Sequence, residues 1–236
     1  MEVVRLKITE ERIEILRKDT LAALTGGTGR ANAETLAALE RGLETARGSA
    51  EPQGGYRYGK ITEVTRTEAN TLFGPVESTR FALMARRSSG EKQVVFTLST
   101  LGEAVDEAIA GDIPLLDKFV LDAVASELAE MVAGLVEERW LQEVGAAGRE
   151  ASARMSPGYC DWLIRGQSVV FRALDAASLG VRLTDSFLMI PAKSVSSAAV
   201  VADEVPLKIQ CLACRRKDCQ FRRTATDDTW SAELAQ

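Results

Sequence analysis

The 236-residue chain contains no histidine. That absence removes Ser-His-Asp and Cys-His nucleophilic catalysis, every histidine-ligated zinc or iron site, and histidine as a general base. Four cysteines, Cys160, Cys211, Cys214 and Cys219, are too few to staple a chain of this size. No run approaches 18 apolar residues, so no membrane-spanning segment is expected. The opening, MEVVRLKITEERIEIL, is charged throughout and lacks the apolar centre of a secretion signal, which predicts a cytoplasmic protein. Basic charge is also short: 29 Lys and Arg against 34 Asp and Glu leave a net charge of −5. Such a balance argues against general binding to nucleic acid or to an anionic membrane. The glycine-rich loop, Gly26-Gly27-Thr28-Gly29, lacks the GxxxxGK[ST] spacing and follows no strand, so it reads as a helix end.

What remains is a globular composition, 46% hydrophobic and 27% charged. Thr9 followed by Glu10 and Glu11 predicts a helix start, and Ile13, Leu16, Leu21 and Leu24 continue at helical spacing. Ala33–Arg47 carries Leu36, Leu39 and Leu43 on one stripe, and Ser49–Gly55 reads as a loop. Tyr56–Arg66, Phe81–Arg86 and Gln93–Leu98 read as strands, with Arg87–Glu91 as a turn. A short helix is expected from Thr100 to Gly111. The strongest periodic signal runs from Pro114 to about Val144, where Leu116, Phe119, Val120, Ala123, Val124, Leu128, Met131, Val132 and Leu135 share a broad apolar face. Leu163 to about Leu179 reads as another helix; Thr184–Pro191, Ser194–Ala202 and Val205–Gln210 read as strands, before a polar tail. βαβ alternation is missing, so the class is α+β.

Three constellations carry candidate chemistry. In Arg154–Trp162 (RMSPGYCDW) a Pro-Gly turn is flanked by Arg, Tyr and Trp. Such a turn can gather a guanidinium, a backbone N–H and an aromatic face for a flat, carboxylate-bearing ligand, or it can plug a core. Glu130 falls within the apolar pattern of the long helix, where a carboxylate is costly unless it is paired or faces a cleft. Glu127 lies nearby, and a solvated edge is the plain alternative. Cys211-x-x-Cys214-x4-Cys219 has a spacing that can hold zinc or an iron–sulfur cluster, with Cys160 as a fourth ligand. Arg215, Arg216, Lys217, Arg222 and Arg223 around it would favour thiolates. Free thiols on a basic turn are the alternative.

The segment RMSPGYCDW…LGVRLTDSFLMIPAKSVSS resembles the activation (reactivation) domain of cobalamin-dependent methionine synthase. That family has an RPxPGY-like turn, a helix, then an LTESxAMxPxxSVSG-like strand pair. Here the two motifs fall at Arg154–Tyr159 and Leu183–Ser197. Leu128-Ala129-Glu130…Glu138-Arg139 resembles the family's long helix, and FTLSTLGEAVDEAI the strand and helix preceding it in stand-alone members. The likeness covers about residues 75–210, and the Cys-rich end resembles short, free-standing relatives. It implies long helices packed on antiparallel strands, divided as a helical segment 1–50, a ligand-binding unit 51–210 and a basic Cys-rich tail 211–236.

The resemblance further implies binding of S-adenosylmethionine (AdoMet), docking over a corrinoid held elsewhere, and support of its reductive methylation. Arg154 would hold the AdoMet carboxylate, Ser156 and Gly158 would offer backbone contacts, and Tyr159 would bind beside them. Glu130 would pair with the ligand's amino group. Two departures stand out: Cys160-Asp161-Trp162 replaces a proline-rich continuation, and Ser197 stands where glycine is usual. Because a corrinoid module of this kind supplies a lower-face histidine, the corrinoid is expected on a partner. That partner would be a corrinoid-binding protein or a methionine synthase lacking its own activation domain, served by an electron donor protein. A methyltransferase-type activity would then need the partner. The competing readings are an iron–sulfur module delivering electrons to the corrinoid protein, and a non-catalytic docking protein.

Overall fold

Thr9 starts the first helix as predicted: its Oγ1 accepts a hydrogen bond from the Arg12 backbone N–H at 3.3 Å. Asn32 does the same for the second helix, accepting from Thr35 N–H at 2.8 Å. In chain order, the computed structural model, which describes residues 1–206, runs β1 (Glu2–Arg5), α1 (Glu10–Leu24), α2 (Ala33–Ser49), β2 (Gln53–Val64), β3 (Ala69–Thr71) and β4 (Gly74–Val76). It continues with α3 (Thr79–Arg87), β5 (Gln93–Thr100), α4 (Glu103–Ala110), α5 (Leu115–Ala146), β6 (Glu150–Ala151), α6 (Gln167–Ala173), β7 (Arg182–Leu183), β8 (Met189–Ile190) and β9 (Ser194–Ala202). The strands pair antiparallel in a sheet ordered β4-β3-β2-β5-β9-β6, with β1 added to β2. The α+β class holds.

The sheet is covered on both faces, which is why β5 reads as a continuous apolar run. One face, with Tyr56, Val95, Ala199 and Val201, meets Val136, Trp140 and Val144 of α5. The other, with Val94, Phe96, Leu98, Ala198 and Val200, meets Phe81, Met84, Val169 and Val170 of α3 and α6. Alternate residues of β5 and β9 therefore enter different cores. A third cluster joins Ile13 and Leu16 of α1 and Leu39 and Leu43 of α2 to Val120, Leu121, Val124 and Leu128 of α5. Phe119, expected on the buried face of α5, is 63% exposed.

Four expectations are corrected. Phe81–Arg86 is helical, not extended. Ser78 Oγ caps α3 at Phe81 N–H, and all of Phe81–Ala85 is buried, so the run carries no periodicity to distinguish helix from strand. The predicted loop Ser49–Gly55 is mostly ordered structure, since α2 ends at Ser49 and β2 begins at Gln53. Its glycines admit the neighbouring elements: a Cβ on Gly54 would lie 2.5 Å from Val136 Cγ2 and 2.9 Å from the Leu98 carbonyl oxygen. The predicted helix 163–179 divides into a 3₁₀ turn at Ile164–Gly166, α6, and a second 3₁₀ turn at Ala176–Leu179. Of the predicted strand Thr184–Pro191 only Met189–Ile190 (β8) is extended; residues 184–188 are the hairpin turn from β7, closed by Thr184 N–H donating to the Leu188 carbonyl at 2.9 Å. Of the predicted strand Val205–Gln210, all beyond residue 206 lies outside the described residues.

Two predictions follow from this packing. Gly54→Ala forces Val136 or the sheet to shift and is expected to cost roughly 1–3 kcal/mol. Gly48→Ala, in an α2 position with open space around it, is expected to stabilise by about 0.5–1 kcal/mol. Urea unfolding of the two variants measures both.

The second concerns alkaline pH. Tyr56 and Tyr58 donate from their hydroxyls to the two oxygens of Glu143, at 2.6 and 3.2 Å. Burial first, and then the Glu143 charge, hold both phenols well above the ordinary tyrosine range. Unfolding lets them ionise near the usual value of about 10, so the folded state binds more protons above that pH. Stability is expected to be intact below about pH 10 and to fall as pH rises further. Phenolate absorbance from these two residues should then appear only together with loss of circular dichroism.

Candidate functional site

After α5 the chain reverses through Gly148, whose positive φ of 68° makes the turn, and returns along β9. Ser152 and Val200 are tied by two hydrogen bonds, at 2.8 and 2.9 Å. Met155 and Ala198 exchange two more, both 2.8 Å. Arg154 is thus held between two backbone anchors. Its Nη2 lies 2.8 Å from Glu130 Oε2, and its Nε lies 3.1 Å from Glu137 Oε2. The two glutamates are seven residues apart, two turns of α5, and so share one face of that helix.

The guanidinium thus bridges two carboxylates of one helix face. The arms differ in setting: the Arg154 and Glu137 side chains are 22% and 24% exposed, Glu130 57%. Glu130 therefore sits on the solvent edge of α5 rather than inside its apolar face, and the cost of the carboxylate is met by pairing with Arg154. Glu127, one turn earlier, has its carboxyl pushed up by burial and by the nearby charges of Asp19 and Glu130.

The turn that follows is pinned from both sides. Tyr159 N–H donates to the Ser156 carbonyl at 3.2 Å, and Gly158, at φ 91°, donates to the Trp162 carbonyl at 2.7 Å. A side chain at Gly158 would strain that conformation. Trp162 is buried beside Phe81, and Asp161 accepts from Ser78 Oγ and from Arg80 N–H, both at 3.1 Å. The Cys160-Asp161-Trp162 departure thus locks the turn onto the start of α3. Ser197 is accommodated too: it is fully buried, with Oγ 2.6 Å from Thr97 Oγ1 across the β5–β9 pair.

Of the predicted ligand residues, the structure brings Arg154 and Glu130 into contact and places Ser156, Gly158 and Tyr159 in the turn directly after Arg154. Tyr159 is 68% exposed and offers an open aromatic face. Glu137 and Asp161 were missed. The seven-residue spacing from Glu130 was the available signal for Glu137; for Asp161 there was none. A shallow groove of about 180 Å³ lies among Glu77, Trp162, Arg165 and Arg172, and none of the predicted ligand residues lines it. Among the metal candidates, Cys160 is exposed, while Cys211, Cys214 and Cys219 lie outside the described residues. Among the described residues no group of three or more Cys, Asp or Glu side chains is placed to hold a metal ion, and no helix is long and apolar enough to cross a membrane.

No known family model matches the sequence, and no curated protein matches it. Among solved structures, the MetH reactivation domain bound to AdoHcy (S-adenosylhomocysteine) shares the fold. The TM-score is 0.58 over 84% of this chain and 77% of that one, at 15% sequence identity. At that identity the likeness defines a fold class, the reactivation-domain arrangement of long helices on an antiparallel sheet.

The cap supplied by Asp161 gives a further prediction. Asp161→Ala removes an acceptor from the first turn of α3 and is expected to cost about 1–2 kcal/mol. A calorimetric melt reads the loss, with Asp161→Asn recovering part of it.

Proposed function

We propose that this protein binds AdoMet through Arg154, Glu130 and the Ser156–Tyr159 turn, and acts as the reactivation partner of a corrinoid protein. The observation that carries the reading is the 2.8 Å contact between Arg154 and Glu130, residues 24 apart that the family resemblance had assigned to the same amino-acid ligand. The likeness to a reactivation domain bound to AdoHcy supports it at the level of fold.

The donor set suits a zwitterion. A guanidinium can take a carboxylate through paired, charge-assisted hydrogen bonds, and the Glu130 carboxylate it releases can take the ligand's ammonium. Glycine at 158 permits the positive φ on which the turn depends. AdoMet, when bound, would supply the methyl group for a reduced corrinoid on the partner, the electron coming from a donor protein. This chain would hold and orient AdoMet. In this reading residues 1–50 brace α5, residues 51–210 form the ligand-binding unit, and the basic tail 211–236 contacts an acidic partner.

Isothermal calorimetry on the full chain tests the binding. AdoMet should bind, and Arg154→Ala should lose roughly 1.5–3 kcal/mol of binding free energy. Glu130→Gln should weaken AdoMet and AdoHcy alike, because both carry the ammonium. No heat from AdoMet on folded protein would replace this reading with that of a docking protein.

A further inference from the structure

Cys160 and the spacing Cys211-x-x-Cys214-x4-Cys219 have no role in the reading above. The fold bears on both. Cys160 is exposed, and its turn is tied to the start of α3, where Asp161 accepts from Ser78 Oγ and Arg80 N–H. Its backbone is held at φ 57°, a region uncommon for any residue but glycine. The chain leaves β9 at the other end of the same helix. Ser89, just past α3, donates its N–H to the Glu204 carbonyl at 3.1 Å and accepts from Asp203 N–H at 3.2 Å.

One nine-residue helix therefore separates the turn of Cys160 from the point at which the chain runs on toward Cys211. At a rise of 1.5 Å per residue that helix is about 13 Å long. Cys211 lies seven residues beyond Glu204. That length of extended chain reaches up to about 25 Å, so Cys211 is tethered within reach of Cys160, with Cys214 and Cys219 following on the same tether.

The donor set suits a soft metal. Four thiolates, two of them in a C-x-x-C pair, ligate zinc and iron–sulfur clusters, and they need no histidine, which this chain lacks. Three thiolates from one short segment leave a fourth position open for a cysteine held elsewhere in the fold. Either centre is net negative, and Arg215, Arg216, Lys217, Arg222 and Arg223 lie in the same stretch to offset that charge and to favour the thiolate form.

We infer that Cys160, Cys211, Cys214 and Cys219 form a four-thiolate metal site, for zinc or an iron–sulfur cluster, that fastens the basic C-terminal segment beside the Arg154–Trp162 turn. Cys160 is the ligand that ties the site to the body of the fold. Each thiol gives its proton to solvent as it ligates, so metal binding weakens as pH falls. The site does not depend on AdoMet binding.

The full chain, purified without oxygen, should carry close to one zinc ion, or the iron and sulfide of one cluster, per molecule; colour and iron content separate the two. After the metal is stripped, zinc, or iron with sulfide, should restore one centre and protect all four thiols from alkylation. Cys160→Ser should weaken the metal by more than the roughly 10–100-fold that loss of a supporting residue costs, and should leave the other three thiols reactive. Mass spectrometry of the alkylated native chain needs no variant and decides the matter should Cys160→Ser fail to fold. Metal-dependent protection of Cys160 together with the other three supports the site, and a Cys160 that reacts alone overturns it. Unchanged metal affinity in Cys160→Ser also overturns it, as do four reactive thiols and no stoichiometric metal in the native chain.

Discussion

The close approach of α5 to the sheet is the constraint on which the rest depends. Gly54 is the contact point: the Val136 side chain occupies the space a Cβ would take. With α5 seated there, Val136, Trp140 and Val144 close the core over Tyr56, Val95, Ala199 and Val201. The same seating brings the Glu130–Glu137 face alongside the segment that β9 holds through Ser152 and Met155. Neither the helix nor that segment makes a site alone. Their juxtaposition puts a guanidinium between two carboxylates, and small backbone approach in the core thereby sets charge geometry at the surface.

That arrangement has a consistent electrostatic logic. With Glu130 57% exposed, the Arg154–Glu130 pair is of the kind that contributes little to stability, about 0–1 kcal/mol, whereas the Arg154–Glu137 pair is more sheltered. In the reading proposed above, a ligand carboxylate and ammonium would replace the exposed pair. The turn beyond Arg154 is held more firmly, by buried Trp162 and by the Asp161 hydrogen bonds to Ser78 and Arg80. In the proposed reading, this anchored turn beside an exposed ion pair is what would receive an amino-acid-bearing ligand.

The long helix, the capped first helix and strands β5 and β9 were legible from spacing because each carries its pattern within its own residues. The failures have a common cause. The Phe81–Ala85 run is buried on all sides, so periodicity vanishes, though its lack of β-branched residues hinted at helix. Gln53–Gly55 read as a loop because glycine is a turn signal in isolation, whereas here it marks a close contact with other elements. β1, at the charged N-terminus, exists because β2 offers an edge to pair with.

The sequence by itself determined the class of fold and the exclusion of histidine chemistry, since these depend on residue type and short-range spacing, whereas the assignment of Arg154 and Glu130 to one ligand came from the family resemblance. Only the tertiary structure decided that Glu130 lies on a solvent edge, that Glu137 joins it on Arg154, and that Asp161 caps α3. Those are contacts between residues 17 to 83 positions apart. Their geometry is set by how α5, α3 and β9 pack, and no local pattern encodes that packing.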